Sequence, residues 1–150
     1  MDHQRAPHIL LVEDSPHDAD LTTRALKRKN LAHNLVHVSD GPSALDYVFG
    51  RGKYALPKVI NPPHIILLDI NLPKLNGLEV LREIKSHPKT KSIPVVVITS
   101  SKEDRDVRQA YEHGANSYIV KPVDFESFQH AVESIGLYWL HLNQTAVPAS

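Results

Sequence analysis

The 150-residue sequence predicts a doubly wound α/β domain, in which one parallel sheet carries helices on both faces. Short segments that are almost entirely apolar recur along the chain, which is typical of strands buried on both faces. Segments with apolar residues at helical spacing alternate with them. Because crossovers between parallel strands are right-handed, this alternation places helices on both sides of a single sheet.

Five segments are predicted as strands. Four are almost wholly apolar and are predicted to be buried strands, covered on both faces: residues 8–12, 64–68, 93–98 and 117–120. The fifth, residues 35–38, includes the polar His37 and is therefore placed at an edge. Residues 49–63, with two glycines and three prolines, are predicted as a surface loop or as an extended exit from the second helix, and residues 143–150 as a frayed tail.

The first predicted helices have recognisable ends. Ser15 is a typical N-cap, Pro16 suits the first helical position, and Asp18 adds a carboxylate to the first turn of a helix that ends near residue 28. A later helix buries apolar residues of the segment 78–84 and ends at Pro88, because proline cannot continue a helix.

Two further helices are predicted after the fourth strand. One begins at Ser101 and ends at Gly114, which suits a left-handed cap. Its inward residues are predicted to be Val107, Ala110 and Tyr111. Asp124 caps the last helix. That helix carries an apolar stripe at helical spacing: Phe128, Val132, Ile135, Trp139 and Leu142.

Composition and charge exclude several classes of protein. Lys and Arg number 17 and so do Asp and Glu, so the net charge is +0, and neither a basic stripe nor a helix-turn-helix indicates nucleic-acid binding. The absence of cysteine excludes disulfides and thiolate metal sites. Apolar runs of about four residues are far shorter than the roughly 20 of a membrane span, and no secretory signal is present. We expect a cytoplasmic protein that binds neither nucleic acid nor membrane.

Polar residues follow each of the four predicted buried strands. Glu13 and Asp14 follow the first, Asp69 the second, Thr99 the third and Lys121 the last. The carboxyl ends of parallel strands meet at one edge of a sheet, so these side chains are expected to converge. Two carboxylates about 4 Å apart repel by roughly 4 kcal/mol, so a proton, a lysine or a divalent cation has to offset their charge. Mg²⁺ suits such oxygen ligands best.

The same residues are the parts of a phosphoryl-transfer site. Asp69 is expected to act as the nucleophile, while Mg²⁺ and Lys121 neutralise the phosphoryl oxygens and Thr99 donates a hydrogen bond. One pair of such residues would not by itself indicate a phosphoryl-transfer site. The interpretation gains specificity because four elements of one fold each end in a fitting residue type.

Four ordered segments resemble the receiver domain of bacterial two-component response regulators: residues 9–15, residues 65–73 with Asn76 and Gly77, residues 94–101, and residues 114–122. The resemblance runs from about residue 8 to about residue 135. It implies the flavodoxin-like (βα)₅ receiver fold, with five parallel strands in the order 2-1-3-4-5. It further implies that residues 1–150 form a single receiver domain, with a core of about residues 8–142, short tails and no output domain.

The resemblance also assigns roles at the site. Asp69 would accept a phosphoryl group from a sensor histidine kinase, so that the chain would be a signalling phosphoacceptor that catalyses only its own phosphorylation and dephosphorylation. Asp14 and Asp69 would ligate Mg²⁺ or Mn²⁺ directly, as would the backbone carbonyl of Asn71, and Glu13 would act through water. Lys121 would bind the phosphoryl group.

A conformational switch is implied by the same resemblance. Thr99 and Tyr118 match the family's switch pair, in which the hydroxyl moves to the phosphoryl group and the aromatic ring turns inward. The peptide bond before Pro122 would be cis. The signal would leave through protein contacts, either to an output partner or to a histidine phosphotransfer protein.

Two less specific features of the sequence resemble those of the single-domain response regulators that partner bacterial phytochrome kinases. These features are the insertion at residues 49–63 and an apolar, aromatic extension at residues 137–142. An apolar overhang at a chain end is typical of a contact surface. We expect a homodimer formed by the fourth helix, fifth strand and fifth helix, with an interface that includes Tyr138, Trp139, Leu140 and Leu142. The alternative is that the extension folds back on its own monomer.

Three other functions would also use an acidic site on an α/β sheet or this same fold. A phosphatase of the haloacid dehalogenase type would need a second aspartate as general acid, but Asn71 stands at that position and cannot donate a proton in that way. A flavodoxin-like FMN module would need a phosphate loop without the charges of Glu13 and Asp14. The remaining alternative is a degenerate receiver that serves as a phosphorylation-independent binding scaffold.

Overall fold

A computed structural model describes residues 8–32, 34–55, 62–122 and 124–142. Within them, strands and helices alternate. The strands are β1 His8–Val12, β2 Asn34–Val38, β3 Ile65–Leu68, β4 Val95–Thr99 and β5 Ser117–Val120. The helices are α1 Pro16–Arg28, α2 Gly41–Phe49, α3 Gly77–Ser86, α4 Asp104–Glu112 and α5 Phe125–Leu137, with a 3₁₀ turn at Gly52–Tyr54 and a π-helical turn at Tyr138–Leu142. The predicted tail at 143–150 and part of the predicted loop at 49–63 lie outside the described residues.

The five strands form one parallel sheet in the order β2-β1-β3-β4-β5. This confirms the predicted fold class and strand order. The half-exposed strand β2 lies at an edge, as the polar His37 predicted. Among the described residues, no helix is both long enough and apolar enough to cross a membrane.

Alternating side chains of the interior strands enter two apolar clusters, one on each face of the sheet. Leu10, Val12, Ile66 and Leu68 pack against α2 and α3. Ile9, Leu11, Ile65 and Leu67 pack against α1 and α5. Both clusters are buried from solvent, which confirms that β1, β3 and β4 are covered on both faces, whereas β5 lies at the second edge of the sheet and is half-exposed.

Two predicted boundaries and one predicted orientation are wrong. The fourth strand begins at Val95 rather than residue 93, because the Ile93 amide bonds to the Thr90 carbonyl in a turn and proline follows it. Helix α4 begins at Asp104 rather than Ser101. Tyr111, expected to face inward, is 50% exposed, because only the narrow stripe through the fully buried Ala110 faces the sheet.

Gly114 follows α4 with φ of +105°, as the predicted left-handed position requires. A side chain there would also meet Lys85, whose Cγ would lie 2.9 Å from an added Cβ. Lys85 donates hydrogen bonds to the carbonyls of Lys91 and Ile93 and to Asn116 Oδ1. The glycine thus lets a lysine join the loops that precede β4 and β5.

Candidate functional site

The candidate site is built by residues that continue the sheet just past its carboxyl edge. The Asp69 amide donates to the Val12 carbonyl at 3.0 Å, and the Lys121 amide donates to the Thr99 carbonyl at 2.7 Å. Glu13 is held in the same way by Val38, at 3.1 Å. Backbone pairing therefore fixes these residues side by side, and the structure brings the predicted residues together.

Three carboxylates form an acidic cluster at this edge. One oxygen each from Glu13, Asp14 and Asp69 lies within 4.8 Å of the others. Glu13 and Asp69 are buried, whereas Asp14 is exposed. The backbone amide of Asn71 donates to Asp69 Oδ1 at 3.0 Å and holds that carboxylate from the side of the following loop. An all-oxygen set with one open side fits a hard divalent cation such as Mg²⁺ or Mn²⁺.

The ammonium of Lys121 binds three carboxylates at once. Its Nζ donates to Glu13 Oε1 at 2.8 Å, Asp18 Oδ2 at 2.8 Å and Asp69 Oδ2 at 2.9 Å. The lysine side chain is only 11% exposed. One cation thus offsets much of the acidic charge of the site.

Asp18 is the one lysine partner that the sequence analysis missed as a site residue. It was assigned only to the first turn of the first helix, and its backbone amide does donate to the Ser15 hydroxyl there. The available signal was that α1 begins four residues after β1 ends, so its first turn has to lie at the same edge of the sheet.

Burial and hydrogen bonding together set the pKa values of the two central groups. Burial raises the pKa of Glu13 to about 7, the Asp69 charge adds to the rise, and Lys121 opposes it. Burial lowers the pKa of Lys121, but the hydrogen bonds to Asp18, Glu13 and Asp69 outweigh that effect and raise the pKa above its usual range. The lysine is therefore a permanent cation, while Glu13 can exchange its proton near neutral pH.

We expect the raised pKa of Glu13 to make the metal-free protein less stable as the pH rises. Between pH 4.5 and about 7, the folded state keeps a proton that the unfolded state has released. The free energy of unfolding therefore falls through this window. Glu13→Gln should remove about 1 kcal/mol of that pH dependence, allowing for solvent screening at the open side. Urea unfolding at both ends of the window measures it, and an unchanged slope in the variant would contradict the assignment.

Thr99 and Tyr118 are joined through Ser101. The Thr99 hydroxyl is fully buried and accepts from the Ser101 amide at 3.3 Å and from Asn71 Nδ2 at 3.4 Å. The Tyr118 hydroxyl donates to the Ser101 carbonyl at 2.8 Å. A movement of the Thr99 hydroxyl would therefore disturb the segment that holds the tyrosine.

The expected cis peptide before Pro122 is wrong for this structure. Peptide bonds between described residues are trans, including the one between Lys121 and Pro122. The trans form of such a bond is lower in free energy by about 0.5–1 kcal/mol. From the trans peptide, the Lys121 ammonium already reaches three carboxylates, so the cis form is not needed to bring the lysine to the site.

The apolar extension after α5 folds partly back on the domain. Trp139 and Leu140 pack against the cluster shared by α1 and α5. Tyr138 remains 49% exposed, and its ring meets that of Trp139 edge-on at 5.1 Å. The side chain of Leu142 lies outside the described residues. The dimer interface stays a prediction.

An open pocket of about 510 Å³ adjoins the lysine. Asp18 and Lys121 form part of its wall, and α1 and α5 provide the apolar part of the lining, namely Leu21, Phe125 and Phe128. Phe125 is 53% exposed. A partner bound in this pocket would therefore contact Lys121, which binds carboxylates of the acidic cluster.

The fold and the acidic cluster with its lysine define a receiver domain of two-component signalling. The chain belongs to this family, because the response regulator receiver domain profile matches residues 9–133. This confirms the resemblance drawn from the four sequence segments. The protein is a response regulator in which the receiver domain spans most of the described fold.

Two curated relatives match over nearly the whole chain. Response regulator Rcp1 of Synechocystis sp. is 41% identical over 133 residues, which are 88% of this chain and 88% of Rcp1. The probable methanogenesis regulatory protein FilR2 of Methanothrix harundinacea is 42% identical over 144 residues, 94% of this chain and 88% of that protein.

Two solved structures share the fold closely. The phosphorylated cyanobacterial phytochrome response regulator RcpA superposes with a TM-score of 0.88 at 38% identity, covering 95% of this chain and 99% of RcpA. The Mn²⁺-bound form of Rcp1 gives a TM-score of 0.86 at 38% identity, covering 94% of this chain and 99% of the Rcp1 chain. The expected likeness to phytochrome response regulators is thus confirmed.

Proposed function

We propose that Asp69 is the phosphoacceptor of this response regulator and receives its phosphoryl group from a sensor histidine kinase. The carrying observation is that one largely buried lysine and two further carboxylates, those of Glu13 and Asp14, converge on this side chain. Asp69 is itself buried, with one oxygen held by Lys121 and the other by the Asn71 amide. This arrangement orients a carboxylate for attack and supplies positive charge beside it.

The proposed transfer moves a phosphoryl group from nitrogen to oxygen. An Asp69 carboxylate oxygen forms the new bond to phosphorus while the bond to the histidine nitrogen of the kinase breaks, and that nitrogen keeps the electron pair. Lys121 donates to a phosphoryl oxygen, and the Thr99 hydroxyl moves toward another. Asp14, Asp69 and the carbonyl of Asn71 would hold Mg²⁺ or Mn²⁺, with Glu13 acting through water, and the ion neutralises phosphoryl charge when bound.

Intact-mass analysis with a small phosphodonor tests the proposal. We expect one phosphoryl adduct in the presence of Mg²⁺, little without it, and none in Asp69→Asn. Asp20→Asn is the matched control, because Asp20 is an exposed residue of α1 paired with Arg24. An adduct that persists in Asp69→Asn would refute the assignment. No adduct at all would favour the phosphorylation-independent scaffold.

The partners follow from the same proposal. A phytochrome kinase is the proposed donor, since RcpA is a phytochrome response regulator of the same fold. A histidine phosphotransfer protein is a proposed acceptor of the phosphoryl group from Asp69. We also propose that residues 1–150 form one receiver domain and that the protein acts in the cytoplasm. The exposed Tyr111 on α4, Val120 on β5 and Tyr138 in the turn after α5 support a homodimer through that face. Light scattering on the same phosphorylated and unphosphorylated samples gives the mass of the assembly.

A further inference from the structure

We infer that Asp18 is a positioning residue that withholds Lys121 from the incoming phosphoryl group and thereby slows phosphorylation of Asp69. The inference rests on the function proposed above. It concerns a contact of 2.8 Å between the first turn of α1 and the residue after β5, 103 positions apart in the sequence. A helix-stabilising carboxylate would not need this contact.

The ammonium of Lys121 has no donor left for a phosphoryl oxygen. An ammonium carries three N–H groups. Each of them has a carboxylate partner, in Glu13, Asp18 and Asp69, at 2.8, 2.8 and 2.9 Å. A phosphoryl group on Asp69 can therefore gain a hydrogen bond from Lys121 only after one of these contacts breaks.

The contact to Asp18 is the least costly to break. The side chains of Glu13 and Asp69 are 5% and 6% exposed, whereas that of Asp18 is 30% exposed. Water can therefore solvate the Asp18 carboxylate once the lysine leaves it, but cannot do so for the other two. Asp18 also lies outside the cluster of three carboxylates that suits a metal ion. It competes for the lysine without belonging to that cluster.

Charge acts in the same direction as hydrogen bonding. The Asp18 carboxylate lies close to Asp69, because Lys121 contacts both side chains. It therefore repels the anionic phosphoryl group that becomes attached to Asp69. The carboxylate stays within reach of the lysine, because the backbone of Asp18 is anchored in the first turn of α1, where its amide donates to the Ser15 hydroxyl. Removing the charge should therefore stabilise the phosphorylated state and the path to it.

The test compares Asp18→Asn with Asp20→Asn. The two substitutions are chemically identical and lie on the same helix, but Asp20 pairs with Arg24 and is 56% exposed. The first readout is the rate of adduct formation by intact mass, with phosphoramidate as donor at saturating Mg²⁺. The second is the half-saturating concentration of beryllofluoride, a stable stand-in for the phosphoryl group. Urea unfolding of both variants monitors the fold.

We expect Asp18→Asn to react about three- to tenfold faster than the wild type and to bind beryllofluoride more tightly by a similar factor, with Asp20→Asn unchanged. A purely structural role for Asp18 would loosen α1 and weaken both readouts. Rates and affinities equal to or below the wild type would therefore overturn the inference while leaving the phosphoacceptor intact. A wild-type protein that forms no adduct would instead remove the proposed function.

Discussion

Lys121→Met is expected to lower the free energy of unfolding of the metal-free protein by about 3 kcal/mol near neutral pH. The substitution keeps the length and apolar stem of the side chain but removes the cation that Glu13, Asp18 and Asp69 share. Two of these carboxylates are buried, so water cannot replace the lysine. Uncompensated buried charge is among the most destabilising changes that one substitution can make.

Lys74→Met is the matched control for the loss of a lysine ion pair. Lys74 pairs with Asp40 at 3.4 Å, but the lysine side chain is 68% exposed. We expect this variant to lose less than about 0.5 kcal/mol. Urea unfolding of both variants without divalent ions measures the difference, and equal losses would mean that burial does not govern the strength of the Lys121 contacts.

Lowering the pH from the alkaline range toward neutral should restore part of the stability lost in Lys121→Met. With the lysine gone, the pKa of Glu13 has no nearby cation to lower it, so the carboxyl takes up a proton more readily. Protonation removes one of the repelling charges. The gap in the free energy of unfolding between wild type and variant should therefore narrow as the pH falls toward about 7 and change little below it, where Glu13 is protonated in both proteins. A gap that stays constant with pH would contradict this explanation.

The sequence was sufficient to place the main site residues because parallel strands share their carboxyl edge. Once Glu13, Asp69 and Lys121 were read as the residues after strands, their convergence followed from the sheet alone. Asp18 could not be placed in this way. Its helical position is evident from Ser15 and Pro16, but the direction of its side chain depends on how α1 packs beside β5, which is a tertiary property.

The other misjudged positions depend on small energy differences or narrow geometry. Tyr111 and Ala110 are neighbours on α4, and only the rotation of the helix against the sheet decides which of them is buried. The isomer of the Pro122 peptide depends on about 0.5–1 kcal/mol, which local sequence does not determine. Ile93 is as apolar as the strand that follows, so hydrophobicity alone does not separate it from β4.

Gly77→Ala is expected to be the second strongly damaging substitution, because the loop after Asp69 folds back onto the start of α3. A Cβ on Gly77 would lie 2.4 Å from the Asp69 carbonyl oxygen and 2.5 Å from Ile70 Cα. Both neighbours are backbone atoms, so no side-chain rotation relieves the overlap. The Gly77 amide also donates to the Ile70 carbonyl at 2.9 Å, which ties the helix start to that loop. We expect a loss of about 3 kcal/mol in the free energy of unfolding.

Gly50→Ala separates this steric effect from the ordinary cost of losing a glycine. Gly50 has φ of +65°, but nothing lies within 4 Å of an added Cβ, so the variant should lose only about 1 kcal/mol. Because the overlap at Gly77 falls on the backbone of Asp69, Gly77→Ala should also form the phosphoryl adduct more slowly. Gly50→Ala should form it at the wild-type rate. Urea unfolding and intact-mass time courses test both effects. A Gly77→Ala protein as stable and as reactive as Gly50→Ala would show that the loop can move away without disturbing the site.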